Sequence, residues 1–279
     1  MSVTQKRDGK IWIEGIDNAL SEESLSGRAG RARYADRESV SVLPDLWVLK
    51  IGGQSIMDRG GAAVHPILEE LVAAKKAGIH YLLGAGGGTR ARHVYSLALD
   101  LKLPTGVMAH LGGGVPNQNA RMLQLLLAQH GGIMCYPDDM EKLPFFLNAG
   151  CIPICSGMPP FQFWEKNSAI GLLPSNRTDA GVYLLAEFLG AKGMIYIKDE
   201  DGLYTDDPKK NPQAKFIPET TAKALLDSEQ DDLVVERVVL EYMLRARKVK
   251  QIRIVNGLKK GRVTAALRGE NVGTLIRAQ

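Results

Sequence analysis

A three-layer αβα sandwich around a mainly parallel central sheet is the α/β fold class that this sequence predicts. Three observations carry it. Short apolar runs stop abruptly at glycine: residues 46–51 end in Gly52-Gly53, and residues 81–83 enter Gly84-Ala85-Gly86-Gly87-Gly88. Runs this short and this apolar fit strands buried on both faces. Amphipathic stretches at helical spacing separate them, the first being GGAAVHPILEELVAAKKAG, which closes on Gly78. The alternation then continues to the C-terminus, and strand–helix–strand order calls for crossovers, parallel neighbours and helices on both faces.

The elements follow in order. VYSLALDL, ARMLQLLLAQHG and LPFFLNAG have helical spacing, and CIPICSG is a strand. TDAGVYLLAEFLG is a helix, with Thr178 or Asp179 as its N-cap, and MIYIKDEDG is a strand running into a turn. AKFIPE is a hairpin or edge segment, VERVVLEYMLRARKV a long helix, and QIRIVNG and VGTLIRA are late strands. Residues 1–42 are polar and lack a sustained apolar period. They form an N-terminal extension, with one short helix expected near DNALSEESL. No Pro/Gly/Ser linker divides the rest, so residues 43–279 are expected to be one domain.

Composition limits the function classes. Of 279 residues, 45% are hydrophobic, enough for a real core. No apolar run approaches the roughly 20 residues that cross a bilayer. The start, MSVTQKRDGK, lacks the apolar stretch of a secretory signal. The expected location is therefore the cytoplasm. Cys135, Cys151 and Cys155 cannot build a disulfide framework, and Cys151 and Cys155, on an apolar strand with no histidine at metal spacing, are expected to be buried thiols rather than a zinc site. A net charge of +4 is too mild to imply nucleic acid. The local excess at Arg28, Arg31, Arg33 and Arg37 is read as a solvated or partner-contacting arm in preference to an RNA-binding one. The aromatic segment at residues 161–165 is read as a packed interface loop.

Four motifs could carry chemistry. Lys50-Ile51-Gly52-Gly53 ends the first strand, where open α/β sheets bind ligands. Its glycines let backbone N–H groups approach a phosphate, and Lys50 adds a point charge. A second loop, Gly84 to Arg92, packs four glycines into five residues before Arg90 and Arg92 open a helix. That density indicates close approach of a ligand, and a helix start beside arginines suits an oxyanion. Neither loop has Walker or dinucleotide spacing. Third, Asp179 could orient Lys50 or a magnesium ion. Fourth, the acidic loop from Lys198 through Asp199, Asp201, Gly202, Tyr204, Asp207 and Pro208 could hold a nucleotide and its metal, or be a solvated turn.

In this order the motifs K-x-GG, GGG-x-x-x-R, T-D-A and D-G-x-Y-T-x-D-P resemble the amino-acid-kinase superfamily, and within it bacterial uridylate kinases. The ending GENVGT fits the same pattern, and the resemblance runs from about residue 43 to the C-terminus. A closer resemblance, in KIGGQSIMDRGGAAVHP, GTRARHVYSLALDL, GVMAHLGGGVPNQNARML, SGMPPFQFW, RTDAGVYLLAE, KDEDGLYT and IVNGL, is to the molybdenum storage family, strongest to beta-type subunits. The resemblance implies a hexameric cage that binds magnesium-ATP and uses its hydrolysis to load molybdate or tungstate as polynuclear oxide clusters. It implies that Lys50, Gly52, Gly53, Gly86, Gly87, Gly88, Asp179 and Lys198 hold the ATP phosphates. It places residues 201–208 beside the adenosine and Gln118 toward the cage interior.

Two departures matter. Uridylate kinases place an aspartate three residues before the glycine of their G-M-x-A-T segment; this chain has Leu103 before Gly106, and His110 in place of the threonine. This argues against uridylate as acceptor. Alpha-type storage subunits carry a histidine run after Pro-Pro, where this chain has Phe161-Gln162-Phe163-Trp164. A histidine-bearing alpha-type partner in a heterohexamer is implied. The alternative is a small-molecule kinase that transfers the ATP γ-phosphate to a phosphate or carboxylate.

Overall fold

The apolar runs assemble into one twisted sheet whose two faces are buried under helices. The computed structural model describes residues 4–7, 10–13, 40–159, 173–228, 230 and 233–279. The chain divides into two compact units, residues 1–40 and residues 41–279. In the first, β1 (Thr4–Arg7) and β2 (Lys10–Ile13) pair antiparallel, with Arg7 opposite Lys10. The helix expected near DNALSEESL, the arginine cluster at residues 28–37 and the aromatic segment at residues 161–165 lie outside the described residues.

In the second unit, β3 (Trp47–Ile51), β4 (Tyr81–Ala85), β5 (Gly132–Met134), β6 (Ile152–Ser156), β7 (Gly193–Lys198), β10 (Glu219–Thr221), β11 (Gln251–Asn256) and β12 (Thr274–Arg277) form an eight-stranded sheet. Its order is β10-β12-β11-β7-β3-β4-β6-β5. Every neighbouring pair is parallel except β11 and β12. Between β7 and β10, β8 (Leu203–Tyr204) and β9 (Phe216–Ile217) make a separate antiparallel ribbon. The helices are α1 (Gly61–Lys76), α2 (Thr89–Asp100), α3 (Thr105–Leu126), α4 (Leu143–Asn148), α5 (Thr178–Leu189), α6 (Ala222–Asp227), α7 (Arg237–Met243) and α8 (Arg262–Leu267). This is the expected three-layer αβα sandwich. No helix among the described residues is long and apolar enough to cross a membrane.

Strand alternation sorts the core into two halves and aims the site. Val48 on β3, with Met194 and Tyr196 on β7, packs into the cluster built with α5, α6 and α7. Leu49, Ile51, Ile195 and Ile197 face the other way, into the cluster with α1, α3 and α8. Because side chains alternate with period two, Lys50 continues the Val48 face and Lys198 continues the Tyr196 face. Both lysines are therefore directed to the side of the sheet that carries α5.

The structure departs from the sequence expectation at several elements, each for a physical reason. The helix expected to begin near Ala120 starts at Thr105 and runs 22 residues, through Gly112-Gly113-Gly114 and Pro116. Glycine and proline are the poorest helix formers, so intrinsic propensity argues against this helix and packing overrides it. A Cβ on Gly112 would lie 2.6 Å from the Tyr95 hydroxyl oxygen, so the glycine is where α2 and α3 cross closely. Ala at Gly112 is expected to destabilise the fold by about 1–3 kcal/mol. Ala at Gly114, which faces open space, is expected to stabilise it by up to about 1 kcal/mol. Urea unfolding of the two variants checks the opposite signs.

The long helix expected after Val234 is only seven residues, Arg237–Met243. The Glu187 carboxylate draws the following chain away from helical bonding by accepting from the N–H groups of Arg247, at 2.7 Å, Lys248, at 3.0 Å, and Val249, at 2.7 Å. Edge strand β5 and the short helices α6 and α8 are too brief to give a periodic signal.

Candidate functional site

β3 is the strand where chain order reverses: β4 lies on one side and β7 on the other. A crevice at the C-terminal ends of the strands is expected at such a switch point. A cleft of about 870 Å³ opens there. Its walls are the loops after β3, β4 and β7, the N-terminus of α5 and the segment leading into α7.

At its floor, the Lys50 ammonium donates to Asp179, and both groups are nearly inaccessible to solvent. Lys198 donates to the same carboxylate at 3.3 and 3.4 Å. Burial alone would raise the Asp179 pKa, but the Lys198 and Lys50 ammoniums outweigh it and hold the carboxyl well below its usual range. Lys198 is shifted down, chiefly because burial disfavours its charge, with Asp179 opposing. Two cations against one carboxylate leave the floor of the cleft positive.

Above the floor, the two glycine loops pack backbone on backbone. A Cβ on Gly53 would sit 2.7 Å from the Gly87 carbonyl carbon and the Gly88 Cα, and one on Gly86 would sit 2.6 Å from the Gly53 nitrogen. Contact between the loops therefore requires these glycines whether or not a ligand is present. The N–H groups divide into two sets. Gly52 donates to Ile197 O at 3.0 Å and Gly86 to Ile51 O at 2.9 Å. Those of Gly53, Gly87 and Gly88 donate to nothing among the described residues. These three line the cleft.

Asn119, fully buried on α3, braces the second loop: its side-chain amide donates to Gly86 O at 2.6 Å and Gly87 O at 3.2 Å. Arg90 donates to Asn119 and, at 3.1 Å, to Gln118. Arg90, Gln118 and Gly86 thus support the loop and do not line the cleft, whereas Arg92 lines it. The N-terminus of α2 is closed by Asp58, which accepts from Thr89 N–H at 2.6 Å.

The acidic loop is largely satisfied by neighbouring cations. Asp199 pairs with Arg59 at 2.6 Å, Glu200 with Lys209 at 2.6 Å, and Asp201 with Lys259 at 2.5 Å. Asp199, Gly202, Tyr204, Asp207 and Pro208 line the cleft; Asp201 turns out of it toward Lys259 and Asn256. Among the described residues no group of three or more His, Cys, Asp or Glu side chains is placed to hold a metal ion.

Asp58 and Asn119 escaped the sequence reading, and so did the residue that caps α5. Neither Thr178 nor Asp179 caps α5; the N-cap position is Arg177, and no side chain of that local segment satisfies the helix start. Glu236, 57 residues further along the chain, does so. Its carboxylate accepts from the N–H groups of Arg177 at 3.2 Å, Asp179 at 3.1 Å and Ala180 at 3.1 Å. Its own N–H donates to Asp179 Oδ2 at 3.3 Å. No local motif marks such a cap; a lone acid at the head of a short apolar helix is the only trace.

Residues 45–256 match the model of the amino acid kinase family. The chain is 44% identical over 263 residues to the molybdenum storage protein subunit beta of Azotobacter vinelandii, covering 94% of this chain and 97% of that one. It is 26% identical to a uridylate kinase of Metallosphaera sedula, over 82% of this chain and 97% of that one. The UMP kinase structure from Bacillus anthracis superposes with a TM-score of 0.66 at 19% identity, covering 85% of this chain and 97% of that one.

Proposed function

The chain belongs to the amino acid kinase family, and from that premise we propose that it is a storage subunit that holds ATP in the cleft and couples its hydrolysis to packing molybdate or tungstate as polynuclear oxide. The observation that carries the nucleotide half is the Lys50–Asp179–Lys198 cluster beneath the N–H groups of Gly53, Gly87 and Gly88. Fixed donors and ammoniums aimed at one small volume stabilise charge that develops during phosphoryl transfer. The observation behind the storage half is the near full-length similarity to a storage subunit.

Each group has a defined role on this reading. Lys50 and Lys198 take the β- and γ-phosphate oxygens, and Asp179 holds both ammoniums in position. Arg92 guards the acceptor end, and the Tyr204 to Pro208 stretch lies along the nucleoside. The donor set does not form a protein cage for magnesium: Asp179 is held by two lysines and the acidic loop by its own cations. Magnesium would enter with the phosphates, as it commonly does. Gln118, exposed on α3, is assigned to the metal-oxide side. The cage is shared with a histidine-bearing alpha-type subunit in the cytoplasm.

The runner-up, a kinase of the uridylate type, draws on the relatives that carry that name. One feature counts against it. Leu103 and His110 stand where uridylate kinases carry the aspartate and the threonine of their acceptor segment.

Lys50→Ala tests the nucleotide half. ATP hydrolysis, read as ADP release, is expected to fall about 10²- to 10³-fold, and titration calorimetry is expected to show weaker ATP binding. Unchanged affinity and turnover would remove the site assignment.

A further inference from the structure

We propose that Glu236 is a positioning residue of the phosphoryl-transfer site: it locks the start of α5 so that the Asp179 carboxylate stays between Lys50 and Lys198. The inference rests on the nucleotide reading above and assigns a role to a residue which that reading does not use.

The geometry is reciprocal. Glu236 accepts from the N–H of Asp179 at 3.1 Å, while Asp179 accepts from the N–H of Glu236 at 3.3 Å. Two further N–H groups, from Arg177 and Ala180, bind the same carboxylate. Its side chain is only 10% exposed. A helix start left without a side-chain cap would be free to shift. Asp179 is the second residue of this helix, so any shift there moves the carboxylate that aligns both lysines. Misplacement by about 1 Å costs on the order of 10²-fold in rate.

The charge argument is separate. The groups facing Lys198 are Asp179, Lys50 and Glu236, with the Tyr196 ring 5.8 Å from the ammonium. Burial and Lys50 disfavour the protonated lysine; Asp179 and Glu236 favour it. With Arg177, the local set is three cations and two carboxylates. Removing Glu236 leaves three against one, and Lys198 then loses its proton at lower pH. The resulting loss of the ammonium lowers the alkaline limb of the rate profile.

The experiment compares wild type, Glu236→Gln and Glu70→Gln in Mg-ATP hydrolysis across pH, with hydrogen exchange of residues 177–183. Glu70 is a fair control. It makes the equivalent cap on α8, accepting from Gly261 N–H at 2.6 Å and Thr264 N–H at 2.8 Å, and neither it nor these partners line the cleft. For Glu236→Gln we expect kcat to fall about 10- to 100-fold with KM within about threefold. We also expect faster exchange at Asp179 and Ala180 and an alkaline limb displaced to lower pH. Glu70→Gln is expected to keep kcat and the limb. Faster exchange in Glu236→Gln with kcat and pH limb unchanged would make Glu236 a helix cap only and overturn the proposal. So would an equal loss of kcat in Glu70→Gln, which would reflect general destabilisation. Absence of wild-type turnover, with Lys50→Ala indistinguishable from it, would overturn the nucleotide reading and this proposal together.

Discussion

Asp179→Asn is expected to reduce ATP turnover by about 10³-fold or more and to lower folding stability by about 3–5 kcal/mol. The two effects have one cause. Asp179 is the carboxylate both lysines share, and asparagine leaves two buried ammoniums without a directly bonded counter-charge. Lys198, whose pKa is already lowered by burial, would then shed its proton, and Lys50 would lose its bonded partner. Single-turnover ADP release and urea unfolding measure the two losses. An Asp179→Asn protein of native stability and activity would mean that the cluster is neither strained by burial nor used.

The pH dependence has a definite sign. The folded Asp179 pKa lies below its unfolded value. Its stabilising contribution is therefore present at pH values above the unfolded carboxylate range of about 3.9 and is lost as pH falls toward the folded value. Glu236 acts oppositely: burial, followed by the Asp179 charge, raises its folded pKa. Its ionised form costs stability as pH rises through the window just above the ordinary glutamate value. Acid unfolding of the wild type should consequently steepen at low pH, and Asp179→Asn should remove that part of the slope.

Gly53→Ala is the second large effect. Its Cβ would enter the backbone of the opposite loop at Gly87 and Gly88, and the atoms it meets there are all main chain, with no side chain to move aside. A cost of about 1–3 kcal/mol is expected. ATP affinity should fall at least about tenfold as the loops part, since 1.4 kcal/mol of lost binding suffices. Gly60→Ala separates strain from contact. Gly60 has φ +74° and nothing within 4 Å of a new Cβ. It should cost about 1–3 kcal/mol of stability and leave ATP affinity intact. Equal affinity losses in both variants would mean that the loop-on-loop contact does not shape the site.

Much of this site was legible in the sequence because it is written in local terms. A strand ending at Lys50-Ile51-Gly52-Gly53 already fixes which face Lys50 takes, since alternation from Val48 leaves one choice. The same holds for Lys198 after Tyr196. The dense glycines of the second loop announced a close approach, although part of that approach is to the first loop. Asn119, Asp58 and Glu236 were not legible, because each acts on backbone 31 to 57 residues away in sequence. Nothing in local periodicity encodes such a partner. The first part of α3, residues 105–119, was missed for the opposite reason: its local signal, three glycines and a proline, points away from helix, and only the close crossing with Tyr95 on α2 accounts for one of them. The antiparallel return of β12 against β11 likewise depends on a chain reversal at residues 257–273 that strand propensity does not specify.

The most direct test of storage coupled to ATP is a metal count. The purified protein, alone and combined with an alpha-type storage subunit, is incubated with molybdate or tungstate and Mg-ATP, desalted, and assayed for retained metal and released ADP. The account predicts tens of metal atoms per assembly in the combined sample, dependent on ATP and lost when this subunit carries Lys50→Ala. Stoichiometric transfer of the γ-phosphate to uridylate with no retained metal would contradict it.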